Sequence, residues 1–350
     1  MKTQFSLRQL SPQDSLAFGN LMETSPDTGR FSNAAHFEID PFEALRTMQH
    51  DFVGVVAETP AHAGIVGACL ARFGQAQFEG RLRPYALINS LVVDPSYRRQ
   101  GLASALVGWV VNHSRTHLGD EAVLWALIQQ GNVGSVRSVG KYLRQFIGER
   151  IVTAPLRMRA KSPKPSSNYV VRSAKPDEFD QVANQFNAFY REFNFFEPAT
   201  ASSLASWCAS SPFEDPFRHY LVATNSKGEI YAGAGVSELY RLRTIHMHQM
   251  PQVVQFLNTF LRIVPANGIT KELVLSKIWF APGHAQAAKY LIETIRWKWR
   301  KKATLLMVWA DKKNPVLKIL NLPFWMPAGK NAVVIDSSET IPENHLIYYE

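Results

Sequence analysis

Cysteine is almost absent: the 350 residues carry only Cys69 and Cys208, about 140 positions apart. That spacing builds neither a disulfide framework nor a zinc site, so both thiols are expected as small buried apolar groups. Long apolar runs are missing as well. No stretch reaches the roughly eighteen apolar residues of a bilayer-spanning helix, and the opening MKTQFSLRQL has no apolar core of secretory-leader length. A cytoplasmic protein with no membrane partner is expected. Charged residues are only 19% of the chain against 46% apolar, the balance of a soluble globular protein, and 350 residues exceed one ordinary core and point to two domains.

The net charge of +9 admits nucleic acid, a membrane surface or an anionic cofactor. It is spread through both halves, so a cofactor suffices. Its sharpest concentration, RWKWRKK at 296–302, reads as a helix whose last turn is cationic, as the helix dipole favours, and nucleic-acid binding is not expected.

The informative stretch is 83–118, RPYALINSLVVDPSYRRQGLASALVGWVVNHSRTHL. An apolar strand (85–93) ends at Asp94-Pro95, a basic turn carries Gly101, and Leu102, Ala103, Leu106, Trp109 and Val110 then share one helical face. The turn abuts a helix N-terminus, where unpartnered N–H groups and the aligned peptide dipoles favour an anion. Gly101 lets backbone approach a ligand, Ala103 presents almost no side chain, and Arg98 and Arg99 add charge suited to phosphate. These residues imply a phosphate-bearing ligand across a strand end and a helix start.

The run Val93-Asp94-Pro95-Ser96-Tyr97-Arg98-Arg99-Gln100-Gly101-Leu102-Ala103 resembles the acyl-CoA signature of the GNAT N-acetyltransferase superfamily, Arg or Gln, two residues, Gly, one residue, Gly or Ala. The element order agrees over 1–160: strand 5–10, a helix opened by Ser11-Pro12, a polar irregular segment 23–38, a helix from Asp40-Pro41, a hairpin 52–57 and 64–73, the stretch above, strand 122–128, helix 132–145 and closing strands at 151–158. The expected fold is mixed α/β, two tandem GNAT-like domains, each a central mixed sheet flanked by helices.

The polar, proline-bearing KSPKPSS at 161–167 is the expected linker between domains 1–160 and 168–350. The second half repeats the first faintly. Arg8 to Pro12 is matched by Arg172 to Pro176, Val56-Ala57 and Gly67-Ala68 by Val222-Ala223 and Gly233-Ala234 at a constant offset of 166, and Asn132 by Asn314. The second copy's turn, APGHAQAA from Ala281, has neither arginine nor glycine at the positions of Arg98 and Gly101, so a degenerate copy that does not bind CoA is expected. The amphipathic segment 251–264 is extra and is expected to support or cover a substrate cleft between the domains.

The resemblance implies that backbone of Leu91, Val92 and Val93 pairs with the pantetheine arm and polarises the thioester. It further implies that amides from Arg99 through Gln100, Gly101, Leu102 and Ala103 to Ser104 hold the pyrophosphate, with Arg98 beside them. Asn132 either contacts the cofactor or caps the next helix. Family members often carry a tyrosine seven residues after that asparagine to protonate the thiolate. Here Val139 stands there, and Tyr142, nearly a turn later, is a weak candidate that reads more readily as structural. Glu23, Asp27 and Glu38 lie in the acceptor segment and read as exposed loop carboxylates; His246 and His248 are two ligands without a third, and His113 and His117 an exposed helix face, so no metal is expected. The implied activity is N-acyl transfer from acetyl-CoA, or another acyl-CoA, to a small-molecule or peptide amine acceptor. The alternative is a non-catalytic acyl-CoA sensor.

Overall fold

The computed structural model describes residues 4–60, 62–261, 264–320, 322, 328–342 and 345–349. The first half of the chain forms β1 (Ser6–Gln9), α1 (Ser15–Thr24), β2 (Ser32–Phe37), α2 (Pro41–Met48), β3 (Phe52–Thr59), β4 (His62–Phe78), β5 (Arg81–Val93), α3 (Leu102–Leu118), β6 (Val123–Gln129), α4 (Val133–Val139) and β7 (Gln145–Arg157). The second forms β8 (Val170–Ser173), α5 (Phe179–Tyr190), β9 (Phe193–Asn194), α6 (Ala201–Ala209), β10 (Arg218–Thr224), β11 (Ile230–Ser237), β12 (Arg243–Gln249) and α7 (Gln252–Leu261). β13 (Ile269–Thr270), β14 (Glu272–Phe280), α8 (Ala285–Lys298), β15 (Leu305–Asp311), α9 (Pro315–Ile319), β16 (Gly329–Asp336) and β17 (Leu346–Ile347) complete it. No described helix is long and apolar enough to cross a membrane.

The chain divides into two compact units. The first comprises Met1–Arg150, Ile245–Leu257 and Lys330–Glu343; the second comprises Ile151–Thr244, Asn258–Gly329 and Asn344–Glu350. In the first, β1, β3, β4 and β5 run antiparallel in that order, β5 and β6 pair in parallel, and β16 pairs antiparallel with β6. Strand alternation fills both faces. Val53, Val55, Cys69 and Ala71 point into a core built with Leu106 and Val110 of α3, while Val56, Ala68 and Leu70 meet Phe18 and Leu21 of α1 and Leu45 of α2.

The second unit repeats this order. β8, β10, β11 and β14 are antiparallel, β14 and β15 parallel, and the Ile151–Arg157 part of β7 pairs antiparallel with β15, Arg157 opposite Leu305 and Ile151 opposite Asp311. Leu291 and Ile295 of α8 pack on one face, Val182 and Phe186 of α5 with Leu204 of α6 on the other.

Two segments therefore sit elsewhere than their sequence position implies. The strand at 151–158, expected to close the first sheet, pairs with β15, and the strand that pairs with β6, β16, comes from near the end of the chain. Both are short apolar strands of similar pattern, so alternation alone does not tell which β-edge each one meets. The segment 23–38 is not wholly irregular either: it contains β2, whose hydrogen-bonded neighbour is β12, some two hundred residues away.

The repeat expected at Arg8 and Arg172 is a physical motif. Arg8 clasps Asp14 through both guanidinium arms at 2.7 and 2.8 Å, and Asp14 accepts from the Ser11 N–H at 2.8 Å. Arg172 grips Glu178 at 2.5 and 2.7 Å, and Glu178 accepts from the Lys175 N–H at 2.8 Å. In both, an acid six residues after the arginine caps the entry to the first helix of its unit.

Candidate acyl-CoA cavity

The site starts from a break in strand pairing. β5 and β6 pair in parallel from Tyr85 opposite Val123 only to Ile88 opposite Ala126. Ser90 then adopts φ +49°, and the register against β4 slips, since Ala68 faces Val92 while Leu70 faces Asn89. Such a bulge re-aims the strand. From Leu91 to Val93 the β6-facing edge of β5 carries no ladder, which leaves main-chain donors and acceptors for a ligand.

A cavity of about 460 Å³ occupies this opening, within the range of small-molecule sites. Leu91, Val92, Val93, Arg98, Arg99, Gly101, Leu102, Ala103, Ser104 and Asn132 all line it. Gln100 does not: its side chain is exposed and donates to the Ser96 carbonyl at 3.3 Å.

The turn is shaped locally. Asp94 accepts from the Ser96 N–H at 2.8 Å, which closes a 3-10 turn over Pro95–Tyr97. Arg99 and Gly101 both take positive φ, 64° and 86°, and Gly101 does so without the Cβ penalty. Gly101 is the N-cap residue of α3, and a Cβ added there would meet nothing within 4 Å. The space over the first turn of α3 is open, and the first intrahelical bond is from Ala105 N–H to the Gly101 carbonyl at 3.1 Å. The amides of Leu102, Ala103 and Ser104 precede it.

Arg98 differs from its expected role. Its Nε donates to the Val93 carbonyl and its Nη2 to the Pro26 carbonyl, both at 3.0 Å. The guanidinium thus staples the 25–28 segment, which forms the opposite wall, to the end of β5. Sequence reasoning did not single out the other wall residues, Ser25, Pro26, Thr28, Tyr97, Gly134, Ser135, Arg137, Ser138 and Lys141. Arg137, Ser138 and Lys141 follow Asn132 at helical spacing, so a cationic face was legible there.

Asn132 is an N-cap that also lines the cavity. Its Oδ1 accepts from the Ser135 N–H at 3.0 Å as the N-cap of α4, and its Nδ2 donates to Asp27 Oδ1 at 2.7 Å while it lines the cavity. Gly29 N–H reaches the same Asp27 oxygen at 3.2 Å. Burial raises the Asp27 carboxyl above its ordinary value, against the N–H groups of Thr28 and Gly29, the Arg98 charge and Asn132.

Tyr142 is not among the lining residues. Its hydroxyl and ring lie over Gly108 of α3, where a Cβ would come within 2.4 Å of the hydroxyl oxygen, and Val139 is buried in the core. Glu23 binds His36 Nδ1 at 2.9 Å, and the His36 ring stacks on His246 at 5.3 Å. His113 and His117 extend a stack from Trp109. Among the described residues, no three His, Cys, Asp or Glu side chains gather as a metal site.

The corresponding place in the second unit is filled. β14 pairs with β15 only to Val274 opposite Met307, and Lys277 repeats the bulge with φ +49°. Here Tyr190 donates to the Ile278 carbonyl at 2.7 Å, Tyr220 to the Lys277 carbonyl at 3.0 Å, and the Lys277 ammonium lies over Phe186 and Trp207. The remaining space is about 30 Å³. The turn before α8 is four residues, Ala281 through His284, against eight before α3, and His284 stacks on Tyr231 at 3.9 Å.

Residues 22–141 match the acetyltransferase (GNAT) family. No curated protein matches the chain in sequence. Among solved structures, the chain is similar to N-myristoyltransferase from Saccharomyces cerevisiae with bound myristoyl-CoA (12% identity, 95% of this chain and 82% of that one, TM-score 0.63). It is also similar to a GCN5-related N-acetyltransferase from Sphaerobacter thermophilus (14%, 95% of both, 0.58). A tandem GNAT protein from the clavulanic acid biosynthesis pathway matches at 12% identity, over 97% of this chain and all of that one (100%), with TM-score 0.59. Residues 22–141 thus match the acetyltransferase (GNAT) family, and the chain shares its fold along nearly its whole length with a tandem GNAT protein.

Proposed function

We propose that this protein transfers an acyl group, acetyl in the simplest case, from CoA to an amine, with one donor site in the first unit. The observation that carries the reading is the cavity of about 460 Å³ where unpaired β5 backbone at Leu91–Val93 meets the open first turn of α3. An extended pantetheine arm completes a ladder there as an added strand would, and a strand N–H polarises the thioester carbonyl. The pyrophosphate takes the Gly101–Ser104 amides, and Arg99, Arg137 and Lys141 face its phosphates. Asn132 is held too firmly by Ser135 and Asp27 to do more than border the ligand.

Calorimetric titration with acetyl-CoA tests this. The native protein binds one equivalent, and Gly101→Glu, which forces a side chain into the φ +86° position and sets a carboxylate at the helix N-terminus, weakens binding at least about 100-fold. Equal affinity in the variant overturns the site. A second reading, a sensor that binds acyl-CoA without turnover, is favoured by the burial of Val139 and the packing of Tyr142 on Gly108, which leave the usual thiolate-protonating tyrosine without a counterpart. Release of free thiol in the presence of amines separates the two.

A further inference from the structure

We propose that Asp27 is the base that takes the proton from the incoming amine, an inference that rests on the transfer reading above. Three carboxylates lie in the segment before and through β2, and the structure separates them. Glu23 is engaged by His36 with a side chain 43% exposed, and Glu38 is exposed. Asp27 alone among the three lines the cavity that contains Leu91–Val93.

Its setting is unlike that of a loop carboxylate. The other charged side chains in the lining are all cationic: Arg98, bound to two carbonyls, and Arg99, Arg137 and Lys141, which a polyphosphate ligand wants. A carboxylate among them repels that ligand, so its presence calls for another use. It is also held in place: Asn132 and Gly29 both donate to Oδ1, Asn132 is itself fixed by Ser135, the Asp27 N–H donates to the Asn33 carbonyl at 2.9 Å, and Arg98 grips the preceding residue, Pro26. The Asn132 and Gly29 bonds both fall on Oδ1. Partial burial raises the proton affinity of the carboxyl, the direction a base acting near neutrality needs.

The step balances. The acceptor arrives as an ammonium and gives one proton to Asp27. The neutral nitrogen attacks the thioester carbon, the C–N bond forms and the C–S bond breaks. A second proton leaves nitrogen as the amide forms and ends on the thiolate sulfur, the third stays on the amide, and Asp27 releases its proton to water.

The discriminating variant is Asp27→Asn, which keeps an oxygen to accept from Asn132 and Gly29 but cannot take a proton. Thiol release from acetyl-CoA is measured for the full chain between pH 6 and 9 with a panel of small primary amines and peptides bearing free α-amines, alongside calorimetric binding of CoA. The expected result is CoA affinity within about threefold of native, turnover at pH 7 lowered by about 100-fold or more, and partial recovery as rising pH supplies free amine. Turnover within about threefold of native, or a parallel loss of CoA binding, overturns the assignment. If the native protein binds acetyl-CoA but releases thiol with no amine, the transfer reading itself fails and Asp27 loses its role with it. Glu23→Gln serves as the control and leaves turnover unchanged.

Discussion

Arg98 and Asp14 show how a charge can be legible in a sequence while its work is not. Arg98 belongs to a signature that implies phosphate, yet its guanidinium is spent on two carbonyls, Val93 and Pro26, and so builds the wall of the cavity. Asp14 looks like an ordinary first-turn acid. The Arg8 clasp holds its carboxyl down at about 2, well below the usual range, with burial opposing. A depressed carboxyl contributes stability above its unfolded value of about 4 and loses it as pH falls through the folded value. Asp14→Ala should therefore destabilise the protein at pH 7 by about 1–2 kcal/mol, the scale of a lost cap and a half-exposed ion pair. Urea denaturation of variant and native protein from pH 5 down to pH 2 checks it. The gap should narrow over that window, and a gap that stays constant would show that only the cap matters.

At the scale of elements, the strand, turn and helix of 83–118 were readable because each property is local: apolar alternation, an Asp-Pro stop, a glycine at positive φ and a helical stripe. The bulge at Ser90 was not, since no residue type marks it, and neither was its copy at Lys277. The constant offset of 166 also misleads about register. Ala57 faces Gly67, but Gly233 faces Val222 rather than Ala223. What distinguishes the two bulges is their filling: open over α3 in the first unit, occupied by Tyr190 and a lysine over aromatic rings in the second. The absence of an arginine and a glycine at the positions corresponding to Arg98 and Gly101 pointed the same way, for a different reason, because the tyrosines that do the filling lie far off in sequence. Titration with acetyl-CoA should accordingly saturate at one equivalent per chain. Tyr190→Phe, which strips the Ile278 carbonyl of its hydroxyl partner, should lower stability by about 1–3 kcal/mol without creating a second equivalent. A second binding event in either protein would contradict the blocked reading of β14.

At the scale of the whole chain, the expected halves are tied together by strand exchange. Residues 331–336 of β16 pair one for one with β6 in the first unit, and the 151–157 part of β7 pairs with β15 in the second. Each compact unit is thus incomplete without a strand from the opposite half of the sequence, and β2 gains its neighbour β12 in the same way. An unpaired edge such as β6 without β16 is a template for aggregation. This gives the polar segment 161–167 a particular mechanical status: a cut there severs the backbone but none of these pairings. A protease site inserted into 161–167 of the full chain, then cleaved after folding, should leave two fragments that co-elute on gel filtration and still bind acetyl-CoA with native affinity. Residues 1–160 expressed alone, lacking the strand at 331–336, should aggregate or fail to bind. A soluble, CoA-binding 1–160 fragment would show that β6 tolerates a free edge and that the exchange is incidental to the fold.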